Sequence, residues 1–134
     1  MTCYCCSGDE FEICCEPFIN GTAKPPTAEK LMRSRYAAYA VVDVAYLVRT
    51  THPATRRFCV PGEIEEWART STWQKLEILA ATRGEKADKK GTVEFKAYYL
   101  DEDRQPQIHH ENSNFAKELG KWFFVDGRIV GQAA

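Results

Sequence analysis

The chain of 134 residues reads as an α+β fold behind a cysteine-rich leader, because its pattern changes twice in a fixed order. Five cysteines crowd the first fifteen residues, apolar side chains then recur at helical spacing from Thr27 to Thr70, and alternation of period two takes over beyond Thr70. Helices first and four antiparallel strands second is the order of an α+β domain, in which a sheet lays its apolar face on the helices. Residues 1–20 form one predicted unit, a metal knot, and 21–134 the other.

Gly21 to Thr27 is a linker by composition, with two prolines that forbid helix and a Thr able to cap the next element. The first helix starts there, with Glu29 near the positive end of its dipole and Met32, Tyr36, Tyr39 and Ala40 on one face. Asp43 caps a second helix through Leu47 to about Thr51, stopped by His52-Pro53. A third begins near Pro61 and carries Ile64 and Trp67 to about Thr70.

Gln74 to Thr82 places Leu76, Ile78 and Ala80 on one side of a strand. Thr92 to Leu100 alternates strictly, Val93, Phe95, Ala97 and Tyr99 facing one way and Glu94, Lys96 and Tyr98 the other. Gly84 to Gly91 and Asp101 to Pro106 are turn-rich connections. Shorter strands come next at Ile108 to Phe115 and Lys121 to Val125, separated by Ala116 to Gly120 and closed by an Asp126-Gly127 turn.

Composition is that of a globular protein, 44% apolar and 28% charged. The most apolar stretch, Tyr36 to Val48, contains Asp43 and is too short for a membrane span. The N-terminus lacks the basic and apolar regions of a cleaved signal, so a cytoplasmic location is expected, where reducing conditions turn clustered cysteines toward metal. Cys59, far from the cluster, is expected to be a buried small hydrophobe. The net charge of −1 gives no indication of nucleic-acid binding. Locally, though, Lys24, Lys30, Arg33, Arg35, Arg49, Arg56 and Arg57 face only Glu29 and Asp43, an excess that suits docking of the acidic leader.

The leader reads Cys3-Tyr4-Cys5-Cys6-Ser7-Gly8, then Cys14-Cys15. A short loop with a Ser-Gly turn between sulfur pairs can bring four thiolates to the corners of a tetrahedron, although spacing leaves Cys5 and Cys6 as alternatives. The run resembles the SEC-C motif, a zinc-binding module of pattern C-x-C-x-S-G and then C-C or C-H. That resemblance implies Cys3, Cys5, Cys14 and Cys15 as ligands of one structural zinc ion, with Cys6 standing where the motif commonly has Gly. Similar knots at the end of the SecA translocation motor contact the chaperone SecB, which implies a protein partner in export or translation.

The segments LMRSRYAAY (Leu31 to Tyr39), Thr51-His52-Pro53, GTVEFKAYY (Gly91 to Tyr99), HENSNF (His110 to Phe115) and GKWFFVDG (Gly120 to Gly127) together resemble the YchJ family. This implies a bacterial-type protein whose second unit is a nuclear transport factor 2-like cone, helices clasped by a curved antiparallel sheet. Such cones host isomerases and lyases as well as binding modules, so fold alone does not choose an activity. The candidate pocket residues are Glu111, His110, Ser113 and Asp126, with Trp122 or Trp73 as walls; strand parity puts His109, Glu111, Ser113 and Phe115 on one face. A competing role for Glu111 is a buried ion pair with Arg33 or Arg35. No Ser-His-Asp order, phosphate loop or paired-carboxylate signature singles out a reaction, so no catalytic residue is assigned.

Overall fold

Helix starts obey their local caps. The Thr27 hydroxyl accepts the Lys30 amide at 3.1 Å, and the helix behind it runs Ala28–Val41. Asp43 likewise accepts the Tyr46 amide at 3.0 Å. In the computed structural model, which describes residues 1–131, the helices are α1 Glu16–Ile19, α2 Ala28–Val41, α3 Val44–Arg49 and α4 Pro61–Thr70. Residues 132–134 of the second predicted unit lie outside the described residues. None of the described helices is long and apolar enough to cross a membrane.

The strands are β1 Thr72–Arg83, β2 Lys90–Leu100, β3 Pro106–Glu118 and β4 Lys121–Ile129, antiparallel in the order β1-β2-β3-β4. Bulges between Trp73 and Lys75, Ile78 and Ala80, and Asn114 and Phe115 break the ladder and bend it. The fold is therefore the expected α+β arrangement of helices on a four-stranded sheet.

Helix α2 is buried on nearly every side, Leu31, Ala37 and Ala38 completely, because the sheet covers one side and α1 and α3 the other. Its Ala28 amide donates to the Gly84 carbonyl at 2.9 Å. Gly84 has a φ of +77°, and a Cβ there would come within 2.7 Å of the Ala28 side chain, so this hairpin needs glycine twice over. At its other end α2 stops on Val42, which holds a left-handed φ of 59° that β-branched residues avoid.

Several boundaries differ from those expected. Ala80 is exposed because the bulge beside it breaks the alternation that buries Leu76. Strand β3 continues through Ala116 to Glu118, leaving Leu119-Gly120 as the turn. Asp126-Gly127 is not a turn but the body of β4, where they pair with Asn114 and Ser113. Cys59 is half-buried rather than enclosed. The chain at 50–52 also lies along β4: the His52 amide donates to the Phe124 carbonyl at 2.7 Å, and the Phe124 amide to the Thr50 carbonyl at 2.8 Å.

Candidate metal centre and cone cavity

The leader builds its site from two short pieces. Thr2 and Glu10 form an antiparallel bridge, the Cys3 amide donates to the Asp9 carbonyl at 2.8 Å, and the loop turns through Gly8 at φ +92°. A single 3₁₀ turn at Phe11–Ile13 then delivers Cys14 and Cys15 to the start of α1. The Sγ atoms of Cys3, Cys5, Cys14 and Cys15 all lie within 4.8 Å of one another, and all four residues are buried.

Cys5 and Cys14 sulfurs are 3.6 Å apart and those of Cys14 and Cys15 3.9 Å. A disulfide needs about 2.05 Å, whereas a regular tetrahedron with metal–sulfur bonds of about 2.3 Å has edges of about 3.8 Å. Four sulfur donors at that spacing suit a thiophilic ion in closed coordination, with no position left for water or substrate. Cys6 is outside the group: its φ of 65° turns the side chain to the surface, where its sulfur accepts the Leu76 amide at 3.5 Å. That conformation suits the glycine the SEC-C pattern has here.

Without an ion the environment favours negative charge on one sulfur, Cys5, over Cys3 and Cys15. The Ser7 hydroxyl lies 3.2 Å from the Cys14 sulfur. Hydrogen bonding from the Cys15 thiol and from Ser7 draws the Cys5 pKa down despite burial, whereas burial pushes Cys3 up to about 11 and the bond to Cys5 raises Cys15. The basic helices meet this knot through its backbone: Arg33 Nη1 donates to the Cys5 carbonyl at 2.8 Å and Arg49 Nη2 to the Ile19 carbonyl at 2.5 Å. The four cysteines and Ile19 are continuous with the buried cluster that contains Leu31, Met32 and Tyr36.

Between α2, α4 and the concave side of the sheet is a cavity of ≈ 110 Å³. Its walls include Tyr36, Trp67, Trp73, Phe95 and Phe124, and its polar groups are Arg35, His109, Glu111 and Ser113. Of the residues chosen from sequence, Glu111 and Ser113 line it and Trp73 forms a wall. His110 does not, because it sits on the opposite strand face with Nε2 2.7 Å from Glu94. Trp122 is buried elsewhere, its indole donating to the Pro26 carbonyl at 3.2 Å, and Asp126 is exposed and accepts from Asn114.

Glu111 forms no ion pair with either arginine. Arg33 is taken by Glu29 at 3.0 Å, and Arg35 Nη1 by the Leu47 carbonyl at 2.9 Å and the Thr50 hydroxyl at 2.7 Å. The Glu111 partners are instead His109 Nε2, which donates to Oε1 at 2.8 Å, and the Ser113 hydroxyl, which donates to Oε2. Burial pushes the carboxyl pKa up, but these two bonds outweigh it and leave Glu111 below the usual carboxylate range. Gly127 makes the arrangement possible, since a methyl group on it would fall within the Glu111 carboxylate. Strand parity places His109 on the correct face, and its distance from Trp67, 5.2 Å between ring centres, identifies it as part of the wall.

A four-cysteine knot packed on helices and a bent antiparallel sheet defines a SEC-C-containing protein with a nuclear transport factor 2-like domain. The family model described as "YchJ, middle NTF2-like domain" matches residues 27–127. UPF0225 protein GSU1048 of Geobacter sulfurreducens is 44% identical over 125 residues, covering 93% of this chain and 77% of that protein. RPA3114 of Rhodopseudomonas palustris, described as a SEC-C motif containing protein, superposes with a TM-score of 0.89 at 37% identity over 98% of this chain and 100% of the other. A SEC-C motif containing protein of Psychrobacter arcticus gives 0.78 at 33% identity, over 96% and 77%. The chain belongs to the YchJ (UPF0225) family.

Proposed function

We propose that this protein is a cytoplasmic accessory module in which Cys3, Cys5, Cys14 and Cys15 hold one structural zinc ion and thereby fix the knot as a contact surface for a protein partner. The observation that carries the reading is the buried group of four sulfurs within 4.8 Å of one another, two of the separations close to a tetrahedral edge, with Cys6 excluded. Zinc favours four thiolates, and a closed set gives it a folding role rather than a catalytic one. The partner class, protein-export or translation machinery, rests on the analogy with SEC-C knots that contact the export chaperone SecB.

Native mass spectrometry of the purified protein tests the metal: one zinc per chain is expected, and its loss in the Cys14→Ser, Cys15→Ser protein. Sedimentation with ribosomes and capture on immobilised SecB then test the partner. Binding by the zinc-loaded protein and not by the double variant supports the reading; no binding to either one rejects this partner class.

A second reading, a small-molecule binder or a lyase- or isomerase-like enzyme working in the cone, is favoured by one observation. The cavity joins aromatic walls to a hydrogen-bonded His109–Glu111 pair, the combination that acid–base chemistry and polar recognition both use.

A further inference from the structure

Arg35 is the unusual group in the cavity. It is 8% exposed, and its guanidinium carbon lies 4.6 Å from the centre of the Phe124 ring. Its Nη1 is satisfied by Leu47 and Thr50, but among the described residues no acceptor meets its Nε or Nη2. Neither nitrogen is a sealed, unsatisfied atom, so both reach water-sized space, and the space that Arg35 lines is the cone cavity. A guanidinium taken out of bulk water without a counter-ion is costly. The nearby Glu111 carboxylate eases that cost through space but makes no hydrogen bond to Arg35, its oxygens bonding His109 and Ser113 instead.

Nε and Nη2 form one edge of the guanidinium, a planar fork whose two N–H groups match the two oxygens of a carboxylate. The surroundings restrict what else the ligand can be. Tyr36, Trp67 and Trp73 offer flat apolar surfaces, which stack on planar groups and disfavour a heavily hydrated anion such as phosphate. The volume of ≈ 110 Å³ is smaller than the cavities of about 150 Å³ that take up benzene, so it suits a body smaller than benzene, such as a five-membered ring or a short conjugated chain.

We propose that the cone cavity binds a small planar carboxylic acid, aromatic or conjugated, with its carboxylate on the Nε and Nη2 edge of Arg35 and its body between Trp73, Tyr36 and Trp67. The proposal rests on the second reading above and gives it a ligand class; it is independent of the metal.

The test is a titration of the full zinc-loaded chain with 2-furoate and benzoate, and with 2-furamide and benzamide as uncharged counterparts, monitored through the three indole N–H signals in ¹H–¹⁵N spectra. At least one acid is expected to shift Trp67 and Trp73 saturably, to bind at least about tenfold tighter than its amide, and to leave Trp122 in place, since a two-bond ionic fork separates the two ligands. Arg35→Met should remove the preference for acid over amide; if that variant fails to fold, the comparison on the unaltered protein decides alone. Equal binding of acid and amide overturns the carboxylate proposal while leaving the cone a ligand site. Absence of saturable shifts with both acids, or equal displacement of all three indoles, overturns it as well.

Discussion

Gly127→Ala tests how the cone's polar floor is held. The glycine lies inside β4, opposite Ser113, so on backbone grounds alanine should be the better residue by about 0.5–1 kcal/mol. The structure predicts the opposite sign, because the new Cβ would occupy the Glu111 carboxylate and come within 2.9 Å of its Cγ. Moving the end of a free glutamate would be cheap, but this one is anchored at both oxygens by His109 and Ser113. Hydrogen bonds to a charged group contribute about 1.5–3 kcal/mol each, so net destabilisation is about 0.5–2.5 kcal/mol if one breaks and about 2–5.5 kcal/mol if both do. Urea unfolding of Gly127→Ala, Glu111→Ala and the double variant measures this as a coupling energy. In the Glu111→Ala background the glycine change should become neutral or stabilising. Equal destabilisation in both backgrounds would show that the methyl group collides with something other than Glu111 and refute the reasoning.

Glu111→Gln should cost about 1–3 kcal/mol near neutral pH through its weakened bonds. The depressed carboxyl pKa gives a contribution present above the ordinary carboxylate value of about 4.3 and lost as pH falls through the folded-state value, so the gap between wild type and variant in urea should narrow toward pH ~3. Cys6→Gly should retain full metal content by native mass spectrometry and change stability by less than about 1 kcal/mol, because relief of a left-handed residue is offset by loss of the Leu76 amide's sulfur acceptor; loss of metal would make Cys6 a ligand. Val42→Gly should raise the unfolding temperature, the left-handed penalty of about 1–2 kcal/mol exceeding the packing lost from a half-buried side chain.

Elements whose cause is local were legible in the sequence. Thr27 and Asp43 cap helices with their own side chains, Pro61 opens α4, and β2 buries Val93, Phe95 and Ala97 as its alternation requires. The elements that were not legible have causes distant in sequence. Nothing near Gly127 announces a strand, because its reason is the side chain of Glu111 sixteen positions away. Strand parity already set His109 beside Glu111 and His110 on the opposite face, whereas the partner of each imidazole, Glu111 inside and Glu94 outside, is fixed only by the folded sheet. Helix α1 has four residues, too few for a period, and its only written cue is Pro17. The local positive excess was visible, but its separate destinations depended on where α2 and α3 point each arginine.

Those destinations reveal how the two parts of the chain are joined. Arg33 and Arg49 end on carbonyls of the leader, Arg56 donates to the Thr51 carbonyl at 3.1 Å, and Arg57 to the Ala54 carbonyl at 2.8 Å. Four of the seven cations from Lys24 to Arg57 thus donate to backbone carbonyls, closing loops and seating the knot, which gives them a structural role beside their charge. Arg35 differs from these four because it lines the cavity and one edge of its guanidinium has no acceptor among the described residues. Arg33, two positions earlier, points about 200° around α2 from Arg35, so the helix lies between the sulfur quartet and the cavity. If the quartet holds a metal as proposed, removing it should loosen the Cys5 carbonyl on Arg33 and the Ile19 carbonyl on Arg49, the two bonds that seat the knot on α2 and α3.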